Sequence, residues 1–157
     1  MLIVSLGLAS CSDRAELALP ETRCRGHVGP AHVAASGEEF GGWQVVAYDG
    51  WDQYEYAVAF DHPKAYTGCG LVGAVDAPLA QGGGAGRNRG DPFQYVFGAA
   101  LPPVETVMVL FNGGPVIGLP LKQIPGMRHR FFGVMAPGEG GWSLEGRDGS
   151  GQIVSRL

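Results

Sequence analysis

Two β-prone runs that flank Asp49-Gly50 constrain this chain more than any other feature. An Asp-Gly pair supplies the positive φ values that a two-residue hairpin turn demands, and its twist matches that of the strands on either side. The run from Trp43 to Tyr48 is apolar and β-prone. From Trp51 to Phe60 the pattern alternates, with Tyr54, Tyr56, Val58 and Phe60 on one face. The spacing predicts a hairpin over 43–60 that turns at Asp49-Gly50.

The remainder repeats this pattern. Phe93 to Ala100 reads as a strand, broken by Pro102-Pro103. Val104 to Phe111 places Val107, Val109 and Phe111 on one face, with Met108 and Leu110 on the other. Asn112-Gly113 turns the chain, and Pro115 to Leu121 runs back. Arg128 to Met135 forms a further strand, with Phe132 and Val134 opposite His129 and Phe131. Trp142 to Arg147 and Gln152 to Arg156 close a hairpin around Asp148-Gly149-Ser150-Gly151. Gly70 to Val75 reads as a short strand. Turn residues are abundant, with 27 Gly and 11 Pro in 157 residues, and apolar residues reach 45%, enough for a core. The expected fold is all-β: a β-sandwich or open barrel of about 8 antiparallel strands, judged from the roughly ten-residue spacing.

The N-terminal third is read differently. Residues 1–10 form a leader, 11–39 a tether and irregular segment, and 40–157 one β-domain. Asp13 to Leu19 could make a turn or two of helix before Pro20. Met1 to Ala9 is apolar but too short to span a bilayer, and matches the apolar part of a signal peptide. Leu8-Ala9-Ser10-Cys11 resembles the lipobox of bacterial lipoproteins, which implies lipidation at Cys11 and a place in the cell envelope, outside the cytoplasm and anchored to the membrane by lipid. No Lys or Arg precedes Arg14, so either the true start lies upstream or the segment is a buried N-terminal strand instead. With Cys11 taken by lipid, Cys24 and Cys69 remain to form a disulfide.

Functional motifs are sparse. The net charge is −4 with no basic stripe, which removes the electrostatic footprint of a nucleic-acid binder. Arg128 and Arg130 read as a solvated strand face. Gln81 to Asp91 reads as a flexible glycine-rich loop ending in Arg89-Gly90-Asp91, a tripeptide found in adhesion ligands. No Gly-Lys-Ser/Thr follows it, so it is not a phosphate loop. Asp61, His62 and Cys69 are the best thiol-enzyme set, a base beside an orienting carboxylate and a nucleophile. The competing explanation is a turn at Asp61-His62-Pro63 and a structural disulfide at Cys69. Cys24, His27 and His32 lack the spacing of a metal site, and no metal or cofactor is expected. Ser143 and Ser150 lack a nucleophile elbow, and Asp52, Glu55, Asp61 and Asp76 give no reason to choose among them.

Aromatic crowding on the hairpin is the remaining lead. Trp51, Tyr54 and Tyr56 on an outer face would bind a protein or a glycan, whereas on an inner face they are core. The expected function is a non-enzymatic binding domain of the envelope; the alternative is a small hydrolase or thiol enzyme that uses His62 and Cys69.

Several short stretches share an order seen elsewhere: Tyr95-Val96-Phe97-Gly98, Leu101-Pro102-Pro103-Val104, Val107 to Gly113, Phe131-Phe132-Gly133-Val134, Pro137-Gly138 and Asp148 to Val154. With Gly42 to Tyr48 and Gly68-Cys69-Gly70, this order resembles an uncharacterised group of secreted or lipid-anchored β-domains of high-GC Gram-positive bacteria. The resemblance covers about residues 40–157 and implies architecture and compartment, with no assigned activity. Members often pair the later cysteine with one in the second strand. Trp51 to Phe60 has no cysteine, which leaves Cys24 or Cys11 as the partner of Cys69.

Overall fold

In the computed structural model the described residues are 30–51, 54–63 and 76–157. They form the all-β, sandwich-like architecture expected, with eleven strands in three antiparallel sheets and no closed barrel. The first sheet is a meander of β1 (Ala31–Gly37), β2 (Trp43–Trp51) and β3 (Tyr54–Asp61). The second, central sheet has the order β4-β5-β9-β8, from β4 (Leu79–Asn88), β5 (Asp91–Ala100), β8 (Lys122–Gln123) and β9 (Arg130–Pro137). The third has the order β11-β10-β6-β7, from β6 (Thr106–Phe111), β7 (Val116–Leu119), β10 (Trp142–Arg147) and β11 (Ile153–Arg156).

Three layers result because β5 and β9 are apolar on both faces. From Phe93 to Ala100 every residue of β5 is buried. Its odd-numbered side chains Phe93, Tyr95, Phe97 and Ala99 join Trp43, Val45, Ala47, Tyr56, Val58 and Phe60 of the meander in one core. Its even-numbered Val96 and Ala100 join Val107, Val109, Phe111 and Leu144 of the third sheet in a second core. Period-two alternation thus feeds two cores from one strand. β9 does the same, sending Phe131 and Met135 one way and Phe132, Val134 and Ala136 the other. The meander also buries Val46, Tyr48, Ala57 and Ala59 on its other face.

The register of β2 and β3 overturns the expected turn at Asp49-Gly50. Val45 lies opposite Phe60, Asp49 opposite Tyr56 and Trp51 opposite Tyr54, so the chain reverses between Trp51 and Tyr54. A reversal at Asp49-Gly50 would have left Phe60 and Val58 without apolar partners on β2. Core alternation therefore overrode local turn preference.

The glycine-rich loop expected over 81–91 is instead β4 and a tight turn. β4 pairs with β5 over ten registers, and the chain reverses at Arg89 and Gly90, both with positive φ (52° and 97°). The reason lies across the ladder. Gly82, Gly84 and Gly86 face Phe97, Tyr95 and Phe93 directly. A Cβ at Gly82 or Gly86 would sit 2.8 or 2.5 Å from the opposing ring, and one at Gly84 would sit 2.6 Å from the Tyr95 hydroxyl oxygen and 3.0 Å from its ring. On the reverse face a Cβ at Gly83 would meet the Trp142 ring at 2.5 Å. The far ends of these side chains reach over the glycines and take the place of the missing side chains, an arrangement known to rescue glycines in sheets.

The segment read as irregular before residue 40 also contains a strand. β1 pairs with β2 from Ala31 to Gly37, with a register shift between Val33 and Ala35. Its small and polar sequence carries no period because it is an edge strand that is only half-buried. The strand expected from Arg128 begins at Arg130, leaving Arg128 and His129 in a bend. The expected helix near Asp13 to Leu19 and the strand from Gly70 to Val75 lie outside the described residues.

Candidate functional site

A polar cleft with a volume of about 180 Å³ opens among the described residues where the meander meets the approach to β9. β2 contributes Asp49, and β3 contributes Glu55 and Tyr56. The facing wall is Gly126, Met127, Arg128 and His129. That wall starts with a tight turn at Ile124-Pro125-Gly126-Met127, closed by Met127 N–H donating to the Ile124 carbonyl at 3.1 Å. Pro125 presets the first central position, and Gly126 takes the positive φ (84°) that the second requires. Gln123 secures the turn by donating from Nε2 to the carbonyls of Ile124 (3.2 Å) and Met127 (2.6 Å).

Alternation along β3 divides its end between water and core. Glu55 is exposed, while Tyr56 beside it is 3% exposed and His129 is 2% exposed. The Arg128 guanidinium donates from Nη2 to Glu55 Oε2 at 3.3 Å and reaches Asp76 Oδ1 at 3.5 Å. His129 Nδ1 stands 3.6 Å from the same Glu55 oxygen. The Tyr56 ring packs on the His129 ring at 4.2 Å and edge-on to Phe131 at 5.2 Å. Burial raises the Tyr56 phenol above its ordinary range; the Glu55 carboxylate adds to this and the Arg128 cation opposes it. Tyr56 therefore stays protonated and can donate a hydrogen bond throughout the physiological range.

The cleft thus offers a five-donor guanidinium, two carboxylates, a phenol and an imidazole, with Met127 as apolar lining. With Asp76 at its margin, carboxylates outnumber the one permanently cationic group. No serine, threonine or cysteine lines it among the described residues. The set can donate through Arg128 and accept through Glu55 and Asp49.

The residues singled out from sequence fare unevenly. Tyr56 belongs to the core and forms a cleft wall, so it does not extend an exposed aromatic face. Trp51 and Tyr54 pair with each other in the hairpin backbone, and their side chains lie outside the described residues. Asp61 accepts from Gln44 Nε2 at 3.3 Å. Glu55 and Asp61 are six residues apart on one strand, about 20 Å at strand rise, so they do not converge. His62 is 2% exposed, packs edge-on to Phe93 at 4.8 Å, and its Nε2 lies 2.9 Å from the Phe40 carbonyl. A carbonyl only accepts, so His62 Nε2 carries a proton. Cys11, Cys24, His27, Asp52 and Cys69 lie outside the described residues, and with them the proposed lipidation and disulfide. Among the described residues no three His, Cys, Asp or Glu side chains gather as metal ligands.

Arg89-Gly90-Asp91 sits exposed at the β4–β5 tip, and Ser150 donates to Asp148 Oδ1 at 2.7 Å within its own turn. Arg130, read as a solvated partner of Arg128, instead points its guanidinium to Glu105 at 3.0 Å and to the Val104 carbonyl. Sequence reasoning passed over Arg128 and His129 as site residues. The available signal was a Pro-Gly turn immediately before them. No family model, curated protein or solved structure matches this chain.

Proposed function

We propose that the protein is a non-enzymatic binding domain of the cell envelope whose cleft at Glu55, Tyr56, Arg128 and His129 takes a glycan group. One observation carries the reading. A guanidinium and a carboxylate are held 3.3 Å apart at the mouth of a cleft backed by a buried Tyr–His pair. Paired charged groups of opposite sign suit adjacent sugar hydroxyls, because a hydroxyl can accept from the guanidinium and donate to the carboxylate. The leader ending at Cys11 supports export and lipid anchoring, which would present the domain to envelope glycans or proteins. The thiol-enzyme alternative on His62 and Cys69 is the weaker proposal, because His62 is buried and its Nε2 is committed to the Phe40 carbonyl.

The test is a glycan array probed with the full chain, followed by calorimetric titration of the best ligand against wild type, Glu55→Gln and Arg128→Ala. Loss of about tenfold or more in affinity, roughly 1.4 kcal/mol, is expected in each variant. No ligand on the array refutes the glycan reading. A ligand bound equally by all three proteins moves the site away from this cleft.

A further inference from the structure

The outer edge of β4 is a strand-pairing surface, and we infer that it joins two copies of this chain by antiparallel β4–β4 pairing. The inference is independent of the cleft. β4 is the terminal strand of the central sheet, and among the described residues nothing pairs with its outer side. The phase of its ladder is fixed by Leu101 N–H donating to the Pro78 carbonyl at 3.0 Å. Alternation then directs the backbone groups of even-numbered residues to β5. The N–H and C=O groups of Gln81, Gly83, Ala85 and Arg87 point outward, and all four residues are exposed.

Every other edge among the described residues is short, interrupted or guarded. β8 has two residues between Pro120 and Pro125, one of them Lys122. β7 has four residues between Pro115 and Pro120, and β11 has four including Arg156. β1 carries a register shift at Val33/Ala35, and β3 carries Glu55 and Asp61 with Ala57 to Phe60 buried. β4 alone runs ten residues in unbroken register with no charge, proline or bulge from Leu79 to Gly86. Natural proteins defend such edges unless the edge is used.

Water can satisfy these outward donors and acceptors one by one, and another extended backbone matches their alternation along the whole row. The strand also suits itself. With a two-fold axis anywhere from Gly82 to Ala85, Arg87 falls opposite a residue between Ala77 and Gly83, and all of these are neutral. No like charges meet, and the glycines leave room for close approach.

The test is sedimentation of the full chain from about 10 µM to about 1 mM, because a single strand pair buries less than a standard interface and binds weakly. Ala85→Pro removes one outward N–H and no β4–β5 bond, and Ala85→Lys sets two cations near the axis. Wild type is expected to shift toward dimer mass with concentration, and both variants to remain monomeric with unchanged circular dichroism. Hydrogen exchange of wild type supplies a readout that needs no variant: the Gly83 and Ala85 amides should be open when dilute and protected when concentrated. A monomer at all concentrations, dimerisation undiminished in both variants, or amides equally protected at high dilution would each overturn the inference.

Discussion

Replacing Gly86 with alanine tests the ring-over-glycine packing of β4 most directly, because competing ideas disagree on the sign. Were 81–91 a loose loop, alanine would reduce the freedom of the unfolded chain and stabilise the protein by about 0.4–1 kcal/mol. In the folded sheet the new Cβ would sit 2.5 Å from Phe93 Cζ and 3.0 Å from Cε2. Ordinary carbon contact is about 3.5–4.0 Å, so the ring must retreat by roughly 1 Å. It has nowhere to go. Phe93 is fully buried, with Phe40, His62 and Tyr95 around it at 5.7, 4.8 and 6.5 Å between ring centres. Overpacking of this kind costs about 1–3 kcal/mol. Urea unfolding followed by intrinsic fluorescence should show a lower midpoint with an unchanged slope. The matching thermal shift is about 2–4 °C per kcal/mol for a chain of this length. Phe93→Leu makes the room that alanine needs, so the double variant should recover at least about 0.5 kcal/mol relative to additivity. A stabilised Gly86→Ala protein, or strictly additive variants, would refute the packing argument.

Other expectations follow from single sites. Arg128→Ala should shift stability by less than about 1 kcal/mol, since both members of the Arg128–Glu55 pair are 48% exposed, so any loss of ligand binding reflects the cleft itself. The Tyr56 phenol is raised in the folded state, so its contribution is complete below its ordinary value of 10.0 and is lost as pH rises beyond it. Absorbance at the phenolate band should therefore show Tyr56 ionising only together with alkaline unfolding, and Tyr56→Phe should weaken that alkaline dependence. Hydrogen bonds from Ser150 hold the Asp148 carboxylate below its ordinary 3.8, helped by backbone N–H groups of the same turn. Its contribution is present above that value and fades as pH falls through the lower folded value, so Asp148→Asn should flatten the acid limb of a stability–pH curve.

Legibility in the sequence tracked how many faces a strand buries and how far away its partners lie. β6 and β10 were readable within two residues because each is a short β-prone run closed by turn residues, with one fully buried face and a second that is only partly covered. β5 was readable as a strand, but its double-sided burial announced a middle layer only in retrospect. β4 was misread because its strand character resides in Phe93, Tyr95 and Phe97, not in its own glycines. The turn after β2 was misread because Asp49-Gly50 is a local signal, whereas the register is set by Phe60 and Val58 across the ladder. The cleft was illegible for the same reason at longer range. Glu55 and Arg128 are 73 residues apart, and nothing in either neighbourhood names the other.

The order of the three layers along the chain has a consequence for biosynthesis. The meander is contiguous, from Ala31 to Asp61, whereas the ring-bearing face it packs on needs β5 and β9, complete only at Pro137. At about 5–20 residues per second, the newly made meander waits roughly 4–15 s for its docking surface. During that interval Trp43, Val45, Tyr56, Val58 and Phe60 have no native cover from the central sheet. Chain segments arrested between Asp61 and Pro137 should therefore bind holdase chaperones, and release should coincide with the emergence of β9.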